Sequence, residues 1–239
     1  MEHEESLVGS EQRHRTERPP LRRCESLGIR PRPPVPDRVR RCSHAESEQP
    51  TDREESSLFD DHVARLAAET GWAVIAPEIF PGHEDQPLEW RLEHASAVSD
   101  PRRLGDLVEA ADATGVNTVG ILGFCMGGML AYKAAGTGRF HRAVAFYGMV
   151  HTPENWDTAD SIDPLEAVAA PGACPVMGIV GSADHWTPPD HVDELQDHAA
   201  AVVVYEGADH GFVHDPDRPA HRADDAADAW SRAIAFLGE

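Results

Sequence analysis

Apolar residues fall into two rhythms along residues 58–239 and into almost none before them. Phe59, Val63, Leu66 and Ala67 recur at the spacing of one helix face, and Gly71 stops that helix. The run Trp72–Ala76 then reads as a short buried strand closed by Pro77. A polar loop or lid covers Glu84–Pro101, with Trp90 and Leu92 among its few large apolar residues. Leu104, Leu107, Val108 and Ala111 form an amphipathic helix ended by Gly115. Thr118–Phe124 follows as a buried strand, and a helix begins in Met129–Ala135. Arg142–Tyr147, Pro175–Val180 and Ala201–Tyr205 read as three more strands, and Ala226, Trp230, Ala233, Ile234 and Leu237 face one side of a terminal helix. Strands that lack polar alternation and are separated by helices predict an α/β fold, a doubly wound, mostly parallel sheet with helices on both faces.

Residues 1–57 break the pattern. Runs such as RPRPPVPDRVRR hold too little apolar surface to offset the entropy of ordering them, so the segment is expected to be a disordered Arg/Pro/Glu-rich tail ahead of one domain at 58–239. Charge divides the same way. The chain of 239 residues has a formal charge of −21, yet its first 55 residues carry 11 arginines against 12 acidic residues. The remainder holds 10 basic and 30 acidic residues, and Lys133 is the only lysine. A body this acidic repels phosphate, which argues against a nucleic-acid partner. It fits either GC-rich coding or a high-salt cytoplasm. No apolar run approaches the roughly 18 residues of a membrane span and MEHEESLVGS has no signal-peptide core, so the expectation is a cytoplasmic protein with no membrane partner, a monomer or weak homodimer. Cys24, Cys42, Cys125 and Cys174 form no CxxC pair and no zinc-finger grouping, so neither disulfides nor a bound metal or other cofactor is expected.

One of these cysteines sits in a chemical motif. Gly123-Phe124-Cys125-Met126-Gly127-Gly128 lies between a predicted strand and a predicted helix and has the G-x-nucleophile-x-G form of a nucleophile elbow, with cysteine for serine. The glycines let the backbone turn sharply. Unpaired N–H groups at the helix start favour a thiolate and can hold an oxyanion, with the Met126 N–H as first candidate. Gly181-Ser182-Ala183-Asp184 follows one late strand and Gly207-Ala208-Asp209-His210-Gly211-Phe212 follows the next, giving the chain order nucleophile, acid, base. An unperturbed thiol has a pKa near ~8.5, so His210 would take the Cys125 proton or pair with the thiolate, while Asp184 orients the imidazole. His185 or Asp209 could stand in for a neighbour. His62, His83, His141, His191 and His221 lie in polar surroundings and are expected to be solvated.

The order GFCMGG, GSADHWTP, GADHGF and DAWSRAIAFL resembles the dienelactone hydrolase family, α/β-hydrolases with a Cys-Asp-His triad, over about residues 58–239. The resemblance implies hydrolysis of a small ester or enol-lactone through a thioester on Cys125, with Tyr147 lining the pocket and Trp186 and Phe80 as pocket walls. It also exposes departures. The family's paired carboxylate-clamping arginines have no counterpart in Pro81-Gly82-His83 or Phe212-Val213-His214, and no arginine follows His210 until Arg218. The family's hydrophobic central strand, with a turn that supplies a second oxyanion N–H, has no counterpart in residues 1–57. An incomplete sheet is therefore expected, from a chain truncated, mis-started or frame-shifted at its beginning. The competing expectation for function is an impaired member or an interaction remnant.

Overall fold

The structure, a computed structural model, describes the backbone of residues 50–239 and the side chains from Leu58 onward. The expected disorder of the tail up to residue 49 lies outside the described residues, as do Cys24 and Cys42. Helix α1 spans Pro50–Thr70, so its first two turns come from residues that composition had placed in the tail. Proline is well suited to a first helical position.

Chain order then runs through α2 (Leu88–Glu93), a 3-10 turn (Ala95–Ala97), α3 (Asp100–Ala113), β1 (Gly120–Phe124), α4 (Met126–Ala135), β2 (Arg142–Phe146), a second 3-10 turn (Glu154–Trp156) and α5 (Pro164–Ala169). It closes with β3 (Val176–Gly181), α6 (Pro189–Gln196), β4 (Ala201–Tyr205) and α7 (Ala223–Gly238). The four strands lie side by side in the order β1-β2-β3-β4, all parallel, with Phe124 opposite Phe146 and Gly181 opposite Tyr205.

Period-two alternation divides β2 between two helical layers. Val144 and Phe146 pack with Trp230, Ala233 and Phe236 of α7, while Ala143 and Ala145 pack with Ala131, Tyr132 and Ala135 of α4 and Leu195 of α6. The lid region is more ordered than its polarity suggested. Buried Arg103 of α3 donates to the carbonyls of Ile79, Val98 and Ala95 at 3.0, 2.7 and 2.7 Å, and its guanidinium lies 5.0 Å from the Phe80 ring centroid, tying that region to the body.

One predicted strand is absent. Trp72–Ala76 takes no strand conformation, and Trp72 is 38% exposed. Its apolar run matches a buried strand, but a strand needs a neighbour to pair with, and among the described residues none lies beyond β1. β1 shows the same deficit. Gly120 is exposed and Ile121 and Leu122 are only partly buried, whereas Ala143–Phe146 in β2 are fully buried.

Candidate active site

Cys125 occupies the junction of β1 and α4 with φ 52° and ψ −117°, a backbone conformation that costs a non-glycine residue of order 1–3 kcal/mol. The turn is held on both sides: the Cys125 N–H donates to Phe146 C=O at 3.0 Å, and its own C=O accepts from Met129 N–H at 3.0 Å. Its tightness has a steric requirement. A Cβ on Gly123 would sit 2.0 Å from the Gly127 oxygen, and one on Gly148 would sit 2.5 Å from the Gly128 carbonyl carbon. Glycine is demanded where α4 crosses these two strand ends. No side chain caps α4, so the N–H groups of its first turn, which begins at Met126 directly after Cys125, have no side-chain partner. The helix begins three residues earlier than hydrophobic spacing indicated because this packing overrides the poor helix propensity of Gly127 and Gly128.

Asp184 and His210 arrive on two loops stitched to each other. Ser182 N–H donates to Tyr205 C=O at 3.0 Å, Ala183 N–H to Ala208 C=O at 3.0 Å, and Gly207 N–H to Ser182 Oγ at 2.8 Å. A Cβ on Gly181 would lie 2.2 Å from the Ala208 oxygen, so the loops cross at backbone contact. His210 Nδ1 then meets Asp184 Oδ2 at 2.8 Å, while Asp184 Oδ1 accepts the Trp186 N–H at 2.9 Å. The carboxylate is buried and both its oxygens are occupied. Burial alone would lower the His210 pKa, but hydrogen bonds to Asp184 and to Cys125, with their charges, overcome it and push the imidazole up to about 9.

The other expected site residues divide. Trp186 lines an open cleft of about 570 Å³ together with His185, Asp209, His210, Arg218 and Arg222. Tyr147 and Phe80 are not among the residues that line it. Tyr147 is fully buried at φ 40°, and its ring meets the His210 ring edge-on at 5.0 Å, so it supports the imidazole from inside. Phe80 is buried with Met126, Met129, Leu130 and Met149 under the lid.

Histidines expected to be solvated prove more engaged. Of that set only His141 is exposed. His62 Nε2 donates to the His214 carbonyl at 2.7 Å, and His214 Nδ1 hydrogen-bonds the Tyr147 hydroxyl. Burial, aided by nearby Arg218, pushes His214 down to about 4, so a neutral imidazole braces Tyr147. His214 and Arg218 belong to no motif that assigns them to the site; their only signal in the sequence is their spacing four and eight residues beyond His210. Asp184, His185 and Asp209 bring potential metal-ligand atoms within 4.8 Å of one another. Asp184 has both oxygens committed and Asp209 Oδ1 already accepts the His210 N–H at 2.7 Å, so the cluster serves the imidazole loop and is a poor fit to a cation.

A parallel sheet between two helical layers, with a strained residue at a strand-to-helix elbow and a His–Asp pair on the two late loops, defines an α/β-hydrolase. The sequence profile of the dienelactone hydrolase family matches residues 56–239, and the chain belongs to that family. It is 30% identical over 190 residues to a Bradyrhizobium protein named as a candidate 2-oxo-3-(5-oxofuran-2-ylidene)propanoate lactonase, covering 73% of this chain and 75% of that one. It is 26% identical over 206 residues to the carboxymethylenebutenolidase of Rhodococcus opacus, covering 75% of each. The crystal structure of a candidate dienelactone hydrolase from Klebsiella pneumoniae superposes with a TM-score of 0.69 at 28% identity, over 77% of this chain and 81% of that one. Among the described residues no helix is long and apolar enough to cross a membrane.

Proposed function

We propose that this chain hydrolyses a small carboxylic ester or lactone through a thioester on Cys125. The observation that carries the reading is the 2.8 Å Asp184–His210 hydrogen bond on the two late loops together with Cys125 at a strained strand-to-helix elbow, its charge among the causes that raise His210. In the first half-reaction the Cys125 thiolate sulfur bonds to the carbonyl carbon. The C–O bond to the leaving group breaks, and the imidazolium of His210 gives its proton to the departing oxygen. In the second, neutral His210 takes a proton from water as that water's oxygen attacks the thioester, and sulfur departs as thiolate. Asp184 fixes the imidazole tautomer and stabilises its cation throughout, while the Met126 N–H faces the oxyanion. Acid quenching during turnover of phenyl acetate is expected to yield a chain heavier by one acetyl group on Cys125; turnover without that adduct on the cysteine contradicts the reading.

The His210 proton sets the pH dependence. Its folded pKa, about 9, lies above the unfolded value near 6.5, so the cation contributes stability that is complete below about 6.5 and lost as pH rises through about 9. Because the same proton leaves with the alcohol, kcat/KM is expected to fall as pH rises through about 9. A pH–rate profile that climbs across that range instead identifies neutral His210 as the form required for attack.

A second reading draws on the open outer edge of β1. With no strand beyond it among the described residues, that side contributes no oxyanion donor, and on this reading the chain is an impaired member of its family. Cooperative unfolding together with ester turnover excludes this reading.

A further inference from the structure

We propose that the pair Trp186 and Trp156 is a stacking platform for the leaving-group half of the substrate, and that the preferred substrates are aryl esters over alkyl esters. The inference rests on the proposed role of Cys125 and adds which half of the ester the cleft selects. Trp186 is 40% exposed although it borders the catalytic imidazole, and its ring forms part of the cleft wall. Exposed indole surface is costly unless something covers it. This one is also held in place. Its backbone N–H is fixed by Asp184 Oδ1, the carboxylate that orients His210, and its ring stacks on Trp156 at 6.3 Å between centroids and 16° between planes. The His185 ring lies 4.9 Å away. A rigid, flat apolar surface therefore stands ready before any ligand arrives.

Position decides what it receives. The Trp186 and His210 ring centroids are 6.5 Å apart, and His210 delivers its proton to the leaving oxygen. A group bonded to that oxygen lies on the His210 side of the reacting carbonyl, so a flat ring attached there comes within reach of Trp186. An alkyl alcohol of equal acidity would gain less, because it lacks the planar π surface that stacking requires.

The test compares phenyl acetate with hexafluoroisopropyl acetate, whose alcohol is of similar acidity but has no ring, using the full chain. Trp186→Leu is expected to lower the phenyl-to-hexafluoroisopropyl ratio of kcat/KM by about three- to tenfold, with Trp186→Phe keeping most of the wild-type ratio. An unchanged ratio, including one in which both esters slow equally, overturns the platform. If wild-type protein turns over neither ester, the Cys125 reading fails, and direct binding decides the platform separately. Calorimetric titration should then show phenol binding several-fold tighter than cyclohexanol in wild type, with the preference lost in Trp186→Leu. Equal binding of the two to wild type overturns it.

Discussion

Cys125→Ala is expected to reduce ester turnover by at least about three orders of magnitude, the scale on which removing a nucleophile acts when its partners form one unit. The His210–Asp184 bond at 2.8 Å does not pass through the sulfur, so the loops that carry it remain stitched and thermal unfolding should stay cooperative. Cys125→Ser is the sharper experiment. A serine hydroxyl needs a neutral imidazole to take its proton, and replacing the thiol removes the Cys125 hydrogen bond and charge that help hold the proton on His210. The serine variant should therefore keep more turnover than the alanine variant, with activity that rises with pH as the imidazole loses its proton. Turnover by Cys125→Ala within tenfold of wild type contradicts the assignment of the nucleophile.

The second large effect belongs to stability. Lys133 Nζ lies 2.8 Å from Asp100 Oδ2, with both side chains buried, and the same oxygen accepts the Ile162 N–H at 2.8 Å. This pair ties α4, directly behind the elbow, to the first turn of α3 and to the chain entering α5. Lys133→Met leaves a buried carboxylate without its cation and is expected to cost about 3–5 kcal/mol in urea-induced unfolding. Lys133→Met combined with Asp100→Asn should recover part of that loss, because the amide is neutral and its oxygen can still accept from Ile162. A single-mutant cost below about 1 kcal/mol means that the two groups are solvated.

β2 and β3 are legible because a parallel strand buried on both faces has to be apolar without alternation; β4, though only partly buried, carries the same kind of apolar run and matches its expected span of Ala201–Tyr205. Trp72–Ala76 carries the same signal and is no strand, since pairing depends on a neighbour that local composition cannot report. The placement of Cys125 at a strand-to-helix turn, and of Asp184 and His210 on the loops after β3 and β4, is readable from glycine-containing segments that follow apolar runs. The family resemblance makes Tyr147 a pocket residue; in the structure a left-handed turn at the end of β2 buries its ring against His210. His214 and Arg218 reach the site through the path of one loop, which spacing alone does not reveal. The buried ion pair left one trace in the sequence: a lone lysine within an otherwise apolar helix, MGGMLAYKAA.

That lone lysine has a practical consequence. The only lysine in the chain is sequestered at 1% side-chain exposure, so the native fold offers no lysine side chain to an acylating reagent, to a crosslinker or to lysine-directed modification. Reaction at Lys133 therefore reports the opening of the fold itself, and its rate provides a chemical clock for unfolding at the back of the Cys125 elbow.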